Sequence, residues 1–154
     1  MFYFKSSKNL SMKNKTIEIF RPDEGTPIYV TITDTPVYAG FPSPADDHLE
    51  NKLDLNKALV KNPSSTFFAR VKGESMIDEG IEEGDLLVID KSAEPHENCL
   101  AVCFLEGEFT LKRVKIDGDD LLLMPANKKY KPIRVRRDND FYIWGIVKYL
   151  IKKV

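Results

Sequence analysis

The sequence is poor in histidine and cysteine, and this restricts the catalytic and metal sites that it can form. Its 154 residues include two histidines and two cysteines. With only His48 and His96 available, and His96 in a polar segment beside a proline, the sequence offers little basis for a Ser-His-Asp triad. Neither histidine has a spacing to the cysteines that suggests zinc, and no Gly-rich phosphate loop is present. We therefore predict no metal site and no cofactor.

The two cysteines, Cys99 and Cys103, lie in one apolar run. If this run is a strand, their separation is about 13 Å at roughly 3.3 Å per residue, which is too far for a disulfide. Neither has a histidine or cationic activator nearby in the sequence, which argues against a cysteine nucleophile. We predict that both are reduced and serve in packing.

The sequence also lacks a long apolar run and an excess of one charge. No apolar stretch approaches the roughly 20 residues that a membrane-spanning helix needs, and the N-terminus has no apolar run of the signal-peptide kind. The 23 basic and 24 acidic residues nearly cancel and are scattered. We expect a cytoplasmic protein without a membrane anchor and without direct sequence-specific DNA binding.

Prolines are concentrated in the first 45 residues, at positions Pro22, Pro27, Pro36, Pro42 and Pro44. This distribution argues against a continuous helix or a central strand there. Residues 28–33 alternate apolar and polar side chains, which predicts a short strand within the segment. We interpret residues 1–40 as an extended N-terminal arm and residues 41–154 as one compact domain.

The remainder of the chain predicts a mainly β fold with one short helix. Asp54 is a good N-cap for a helix over residues 54–61, which Asn62 and Pro63 end. Short apolar runs separated by turn residues follow, typical of a β-rich sandwich or a partly closed barrel. These predicted strands are Thr66 to Val71, Asp85 to Asp90, Cys99 to Leu105, Glu108 to Ile116, Asp120 to Met124, Ile133 to Val135 and Phe141 to Ile151.

One serine lies where a turn would expose it. Ser75 follows a predicted strand and Gly73, and two further glycines lead from it into the next strand. A turn of this kind can present a hydroxyl while backbone N–H groups converge on one point, the geometry that an oxyanion needs. On these residues alone an ordinary polar turn is the better interpretation.

Three segments resemble the LexA/UmuD family of self-cleaving Ser-Lys peptidases. Gly73-Glu-Ser-Met-Ile-Asp78, followed by Gly84-Asp85, is similar to the family's nucleophile segment. Ala39-Gly-Phe-Pro-Ser-Pro-Ala45 is similar to its cleavage site and hinge, and Gly107-Glu-Phe-Thr-Leu-Lys-Arg113 to the strand that carries its lysine. Ser75 follows Ala39 by 36 residues and precedes Lys112 by 37, spacings typical of UmuD-like members. Glu79 departs from the pattern, because a small residue is more usual there.

The resemblance implies a compact β-rich LexA/UmuD-like peptidase domain with Ser75 as nucleophile and Lys112 as its base. The substrate would be the chain's own Ala39–Gly40 bond. The candidates for the oxyanion hole are the backbone N–H groups of Glu74, Ser75 and Met76, of which two would act. It further implies an SOS-response protein whose cleavage is stimulated by the RecA filament on single-stranded DNA. The product would be a homodimer that serves a Y-family, UmuC-like polymerase subunit in error-prone translesion synthesis.

This chemistry requires a lysine that is neutral at physiological pH. A lysine with its usual pKa of about 10.4 is protonated, and burial is the means of lowering that pKa. On the alternation of a strand, Lys112 shares a face with Thr110 and Val114, whereas Arg113 lies on the other. The pattern permits a buried Lys112 without requiring it.

Three other readings compete with this hypothesis. The first is a non-proteolytic polymerase accessory or binding module with a vestigial site; the presence of both Ser75 and Lys112 argues against it. The second is a LexA-like repressor, although residues 1–38 are too short and too broken by proline for a helix-turn-helix. The third, a type I signal peptidase, would require a membrane anchor.

Overall fold

The computed structural model describes residues 17–22, 29–33 and 50–154. The predicted cleavage site at Ala39 and Gly40 and the proline-rich segment after it lie outside these residues. Among the described residues are ten strands, one α-helix and one turn of 3₁₀ helix at Ile77–Glu79. The α-helix is α1 (Leu55–Leu59), and the strands are β1 (Ile17–Phe20), β2 (Tyr29–Thr33), β3 (Glu50–Asp54), β4 (Thr66–Val71), β5 (Leu86–Asp90), β6 (Leu100–Leu105), β7 (Glu108–Asp117), β8 (Asp120–Met124), β9 (Ile133–Val135) and β10 (Phe141–Ile151).

Eight of these strands form one antiparallel sheet in the order β1-β4-β5-β10-β6-β7-β8-β9. All seven strands predicted from Thr66 onward are present, with their bounds shifted by one residue at most. The predicted mainly β fold is therefore confirmed. β1 and β9 are the two end strands of the sheet, so among the described residues its hydrogen bonding does not close into a complete barrel.

Both faces of the sheet are buried at its centre. On β6, Val102 and Phe104 belong to one apolar cluster, whereas Ala101 and Cys103 on the opposite face belong to another. This arrangement follows from the continuous apolar run of β6, which has no polar face to turn toward water. Both cysteines are buried and free, as predicted.

β10 bridges the two halves of the sheet by pairing with β5 and with β6. Its register shifts between Ile143 and Gly145, where a bulge bends the strand. A Cβ atom at Gly145 would lie 2.5 Å from Cγ2 of Ile89 on β5, so only glycine lets the two strands approach this closely. The close packing holds β5 against β10 at this point.

Two of the described strands lie within residues 1–40. β2 confirms the strand predicted near residues 28–33, and it pairs with β3 in a separate two-stranded sheet. β1 pairs with β4 at one end of the main sheet. The helix α1 begins after Asp54, whose side chain accepts the N–H of Asn56 at 3.0 Å, and is shorter than predicted.

The described residues contain no helix that is both long enough and apolar enough to cross a bilayer.

Candidate active site

Ser75 lies between β4 and the 3₁₀ turn, at the exit of a tight bend. Gly73 makes this bend with φ at +87°, in the left-handed region that side chains with a Cβ atom rarely adopt. A Cβ atom at Gly73 would meet no other atom within 4 Å, so the constraint is on the backbone angle and not on space. The bend turns the chain out of β4 and presents Ser75 beside β7.

The Ser75 turn is held from two sides. On one side, Ala126 donates its N–H to the Ser75 carbonyl at 2.8 Å and accepts the N–H of Asp78 at 2.7 Å. Next to it, the buried Asn127 donates from Nδ2 to the Glu74 carbonyl at 2.7 Å. On the other side, Met76 is 2% exposed and packs into the cluster around Leu87 and Leu111. The position of Ser75 is therefore fixed by backbone contacts and by core packing.

The carbonyl and N–H groups of residues 74–76 have different environments. The carbonyls of Glu74, Ser75 and Met76 each accept at least one hydrogen bond. Their N–H groups donate none to any residue in the part of the chain that the structure describes. Unused backbone N–H groups next to a serine hydroxyl are what a developing oxyanion requires.

Lys112 comes to Ser75 from the middle of β7. Its side chain is 6% exposed, and its Nζ lies 2.9 Å from Ser75 Oγ. The Nζ atom also lies 2.7 Å from Thr110 Oγ1 and 2.9 Å from the Leu111 carbonyl oxygen. Thr110 and Lys112 share a face of β7, as the alternation predicts, and the structure thus brings together the two side chains that were 37 residues apart in sequence.

The three contacts suit a neutral amine. A neutral lysine has two N–H groups and one lone pair. The N–H groups can donate to Thr110 Oγ1 and to the Leu111 carbonyl, which leaves the lone pair directed toward the Ser75 hydroxyl. All three partners are uncharged oxygens, and none of them stabilises an ammonium ion as a carboxylate would.

Burial lowers the pKa of Lys112 below its usual 10.5, because the charged form loses water on entering the fold. Ionised Cys103 would oppose this shift by attraction. Burial, however, raises the pKa of Cys103 to about 12, so at neutral pH it is an uncharged thiol and the opposition disappears. Desolvation therefore governs the basicity of Lys112. Cys103 does not change it at neutral pH, although its backbone pairs with that of Thr110.

A second link between the two segments was not predicted from sequence. Glu79, in the 3₁₀ turn after Ser75, accepts a bidentate hydrogen bond from Arg113, with Nη2 and Oε2 2.8 Å apart. Arg113 also donates from Nη1 to the Asn98 carbonyl at 3.0 Å. The residue noted above as a departure from the family pattern thus ties the serine turn to the strand of the lysine.

A surface cavity of about 380 Å³ lies beside this ion pair and is lined in part by His96, Arg113 and Tyr149. Neither Ser75 nor Lys112 lines it. It is therefore separate from the serine–lysine pair.

Sequence reasoning did not identify every residue at the site. The sequence placed Thr110 on the same face of the strand as Lys112 but gave it no role. Ala126 and the Leu111 carbonyl were missed, because they act through backbone atoms and the pattern of side chains does not reveal such contacts. Within the described residues no group of three or more His, Cys, Asp or Glu side chains is placed to hold a metal ion. Ala39 and Gly40 lie outside the described residues.

Comparison with known proteins identifies the family of this chain. The model of the family described as "Peptidase S24-like" matches residues 27–148. Protein SamA of Salmonella typhimurium is 38% identical over 115 residues, covering 75% of this chain and 79% of that protein. Protein MucA of Escherichia coli is 39% identical over 112 residues, covering 72% of this chain and 76% of that protein.

The LexA repressor of Stenotrophomonas maltophilia is 37% identical over 110 residues, which covers 71% of this chain and 52% of the repressor. The family match spans both Ser75 and Lys112 and most of the main sheet. The chain therefore belongs to the peptidase S24-like family. Membership in this family supports a serine peptidase of the LexA/UmuD type.

Proposed function

We propose that this chain is a UmuD-like SOS-response protein that cleaves its own Ala39–Gly40 bond through Ser75 and Lys112. The observation that carries the proposal is the 2.9 Å separation between Ser75 Oγ and a lysine Nζ that is almost fully buried. A serine hydroxyl needs a base to become a nucleophile, and a desolvated lysine supplies one. The division into an arm of residues 1–40 and a peptidase domain of residues 41–154 belongs to the same proposal.

The reaction proceeds in two halves. Lys112 Nζ takes the proton from Ser75 Oγ as the oxygen attacks the Ala39 carbonyl carbon. The C–N bond to Gly40 then breaks, and the Gly40 nitrogen leaves with the proton that Lys112 returns. Water, deprotonated by the same amine, attacks the Ala39 carbonyl carbon of the ester. The bond to Ser75 Oγ then breaks, and Lys112 returns the proton to Oγ. The N–H groups of residues 74–76 are proposed to stabilise the negative oxygen in both halves.

The position of the scissile bond in the chain fits this scheme. Ala39 and Gly40 fall between β2 and β3, two strands that pair with each other. Ala39 follows the end of β2 by six residues, a length that spans at most about 20 Å when extended. Substrate and catalyst share one chain. Cleavage therefore requires only that a fraction of the molecules adopt a conformation in which the segment with Ala39 and Gly40 reaches Ser75.

The proposed partners come from the resemblance to UmuD. A RecA filament on single-stranded DNA would favour the cleavable pose, and the product beginning at Gly40 would form a homodimer that serves a Y-family polymerase subunit in the cytoplasm. No cofactor takes part in the proposed reaction. We propose no sequence-specific DNA binding and no membrane association.

The test is intact mass analysis of the full chain incubated with RecA, single-stranded DNA and ATP. We expect two fragments, one of which begins at Gly40, and we expect the Ser75→Ala chain to stay intact. Ser92→Ala is the matched control, because Ser92 hydrogen-bonds Asp90 at the end of β5 and has no contact with Lys112. Cleavage that survives Ser75→Ala, or a new N-terminus other than Gly40, would contradict the proposal.

Two alternatives have different outcomes in related assays. A non-proteolytic binding module would remain intact at every pH while still binding a polymerase subunit. A LexA-like repressor would bind an operator sequence with high preference over random DNA, and the shared match to a LexA repressor makes that measurement worthwhile.

A further inference from the structure

β1 lies outside the matched part of the family and upstream of the proposed cleavage site. The family model begins at residue 27, whereas β1 occupies Ile17–Phe20. It is the end strand of the main sheet, and it pairs antiparallel with β4 over Phe68 to Val71. The strand that leads into the Ser75 turn is therefore covered on its outer edge by a segment that cleavage at Ala39–Gly40 would sever from the domain.

The contact between β1 and β4 includes side chains as well as backbone. Ile19 is partly buried and packs against the apolar cluster that contains Ala69 and Val71 of β4. Just after β1, the Arg21 guanidinium carbon lies 5.6 Å from the centre of the Phe67 ring. The edge of β4 thus has a defined register and a defined apolar contact, and it accepts one short extended segment.

The direction in which each backbone group of β4 points shows whether it can form a hydrogen bond with β1. Val71 donates its N–H to Asp85 on the β5 side. Because backbone groups alternate along an antiparallel strand, Ala69 also faces β5, whereas Phe68 and Arg70 face β1. Without β1, the N–H and C=O groups of Phe68 and Arg70 form an open sheet edge, which is a template for another strand.

From these observations we infer that self-cleavage turns the outer edge of β4 into a docking site for an extended segment of another protein, which adds to the sheet as β1 does. The inference rests on the proposed cleavage. Its ligand is an extended peptide that repeats the Ile-Glu-Ile-Phe pattern of β1, with an apolar residue at the position of Ile19. This is β-strand addition, in which main-chain hydrogen bonds give affinity and alternate side chains give specificity.

Cleavage opens the edge by removing the tether. While the chain is intact, β1 is held near β4 at an effective concentration on the order of millimolar. After cleavage, the fragment of residues 1–39 is held only by the four pairs of β1 and the five pairs of β2, without a covalent link. Dilution then favours its release, and a partner segment competes for the vacated edge.

The test is hydrogen exchange at single amides of the full chain before and after cleavage. In the uncleavable Ser75→Ala chain we expect the Phe68 and Arg70 amides to be protected. In the cleaved chain we expect both to exchange at least about 100-fold faster, with the Ala69 amide unchanged as an internal control. A peptide of residues 15–22 should restore their protection at millimolar concentration, and the same peptide with Ile19→Asp should not.

A second experiment separates this inference from the proposed function. In the full Ser75→Ala chain, Ile19→Asp should release β1 without cleavage, and Ile19→Ala provides a milder variant. If Phe68 and Arg70 then exchange freely and the peptide protects them, the docking edge stands even if the native chain never cleaves itself. The inference is overturned if the fragment stays bound with both amides protected. It is also overturned if the product pairs with a second copy through this edge, seen as a doubled mass with both amides protected in the absence of peptide.

Discussion

Thr110 Oγ1 lies 2.7 Å from Lys112 Nζ, and both side chains project from the same face of β7. The hydroxyl is one of two oxygens that occupy the N–H groups of the amine, the other being the Leu111 carbonyl. If Lys112 is neutral, as proposed, these two acceptors leave its lone pair for the Ser75 hydroxyl. A threonine two residues before the lysine therefore contributes to the position of the proposed base.

Replacing Thr110 with valine tests this orientation. Thr110→Val keeps the shape of the side chain and removes its oxygen, so we expect self-cleavage to slow about tenfold, in the range of one lost hydrogen bond of about 1–1.5 kcal/mol. The oxygen also accepts a bond from the charged amine, so its loss should shift the midpoint of the pH–rate profile downward. Thr110→Ser should restore both quantities. An unchanged rate and midpoint in Thr110→Val would show that the contact has no role.

The ion pair between Glu79 and Arg113 tests whether the serine turn must be tied to the lysine strand. We expect Glu79→Arg and Arg113→Glu each to slow self-cleavage several-fold, because like charges push the two segments apart. The double reversal should recover most of the loss, since it restores the pairing. The control is Arg134→Glu, which breaks the distant pair with Asp117 and should leave the rate unchanged. Additive losses in the double variant would contradict the coupling.

Asn127 tests the support of the turn from the opposite side. Asn127→Ala removes the donor to the Glu74 carbonyl and the acceptor of the Lys129 N–H, which lie 2.7 Å and 2.9 Å away. Because Asn127 is buried, we expect the free energy of unfolding to fall by about 1–3 kcal/mol, measured by urea denaturation in the Ser75→Ala background. Asn139→Ala, at an exposed turn, is the control and should lower the free energy of unfolding by less. Equal effects would mean that Asn127 does not hold the site.

The lowered pKa of Lys112 has a consequence for stability. Between the pKa of the folded state and the usual 10.5, the unfolded chain binds a proton that the folded chain does not. The free energy of unfolding should therefore rise with pH across this window, relative to a Lys112→Met chain in which the group is absent. Urea denaturation of both chains, each carrying Ser75→Ala, measures the difference. A difference that is flat with pH would place the lysine in water, and one that falls would mean that the fold stabilises the ammonium ion. Either result would contradict the lowered pKa.

Much of the main sheet could be predicted from the sequence because its strands are marked locally. From Thr66 onward, apolar and β-branched runs are separated by turn residues such as Glu106 and Gly107, and each run became a strand. The position of Ser75 and Lys112 followed from the resemblance, because no local pattern shows that residues so far apart in sequence meet.

Other features depend on contacts that the sequence does not display. β3 has the polar sequence Glu-Asn-Lys-Leu-Asp, which has no strand pattern of its own, and it forms by pairing with β2. β1 is four residues long, too short for its alternation to stand out, and its place is set by the free edge of β4. Likewise, Ala126 holds the Ser75 turn through backbone atoms that any residue except proline would supply.

The most direct test of the account is the rate of self-cleavage as a function of pH, without RecA, for the native chain and for Lys112→Ala. If Lys112 is the base, the rate in the native chain should rise with pH, level off above the lowered pKa of the amine, and yield a fragment beginning at Gly40, while Lys112→Ala stays intact at every pH. A native rate that falls as the pH rises, or a Lys112→Ala chain that is cleaved at Gly40 as fast as the native one, would contradict it.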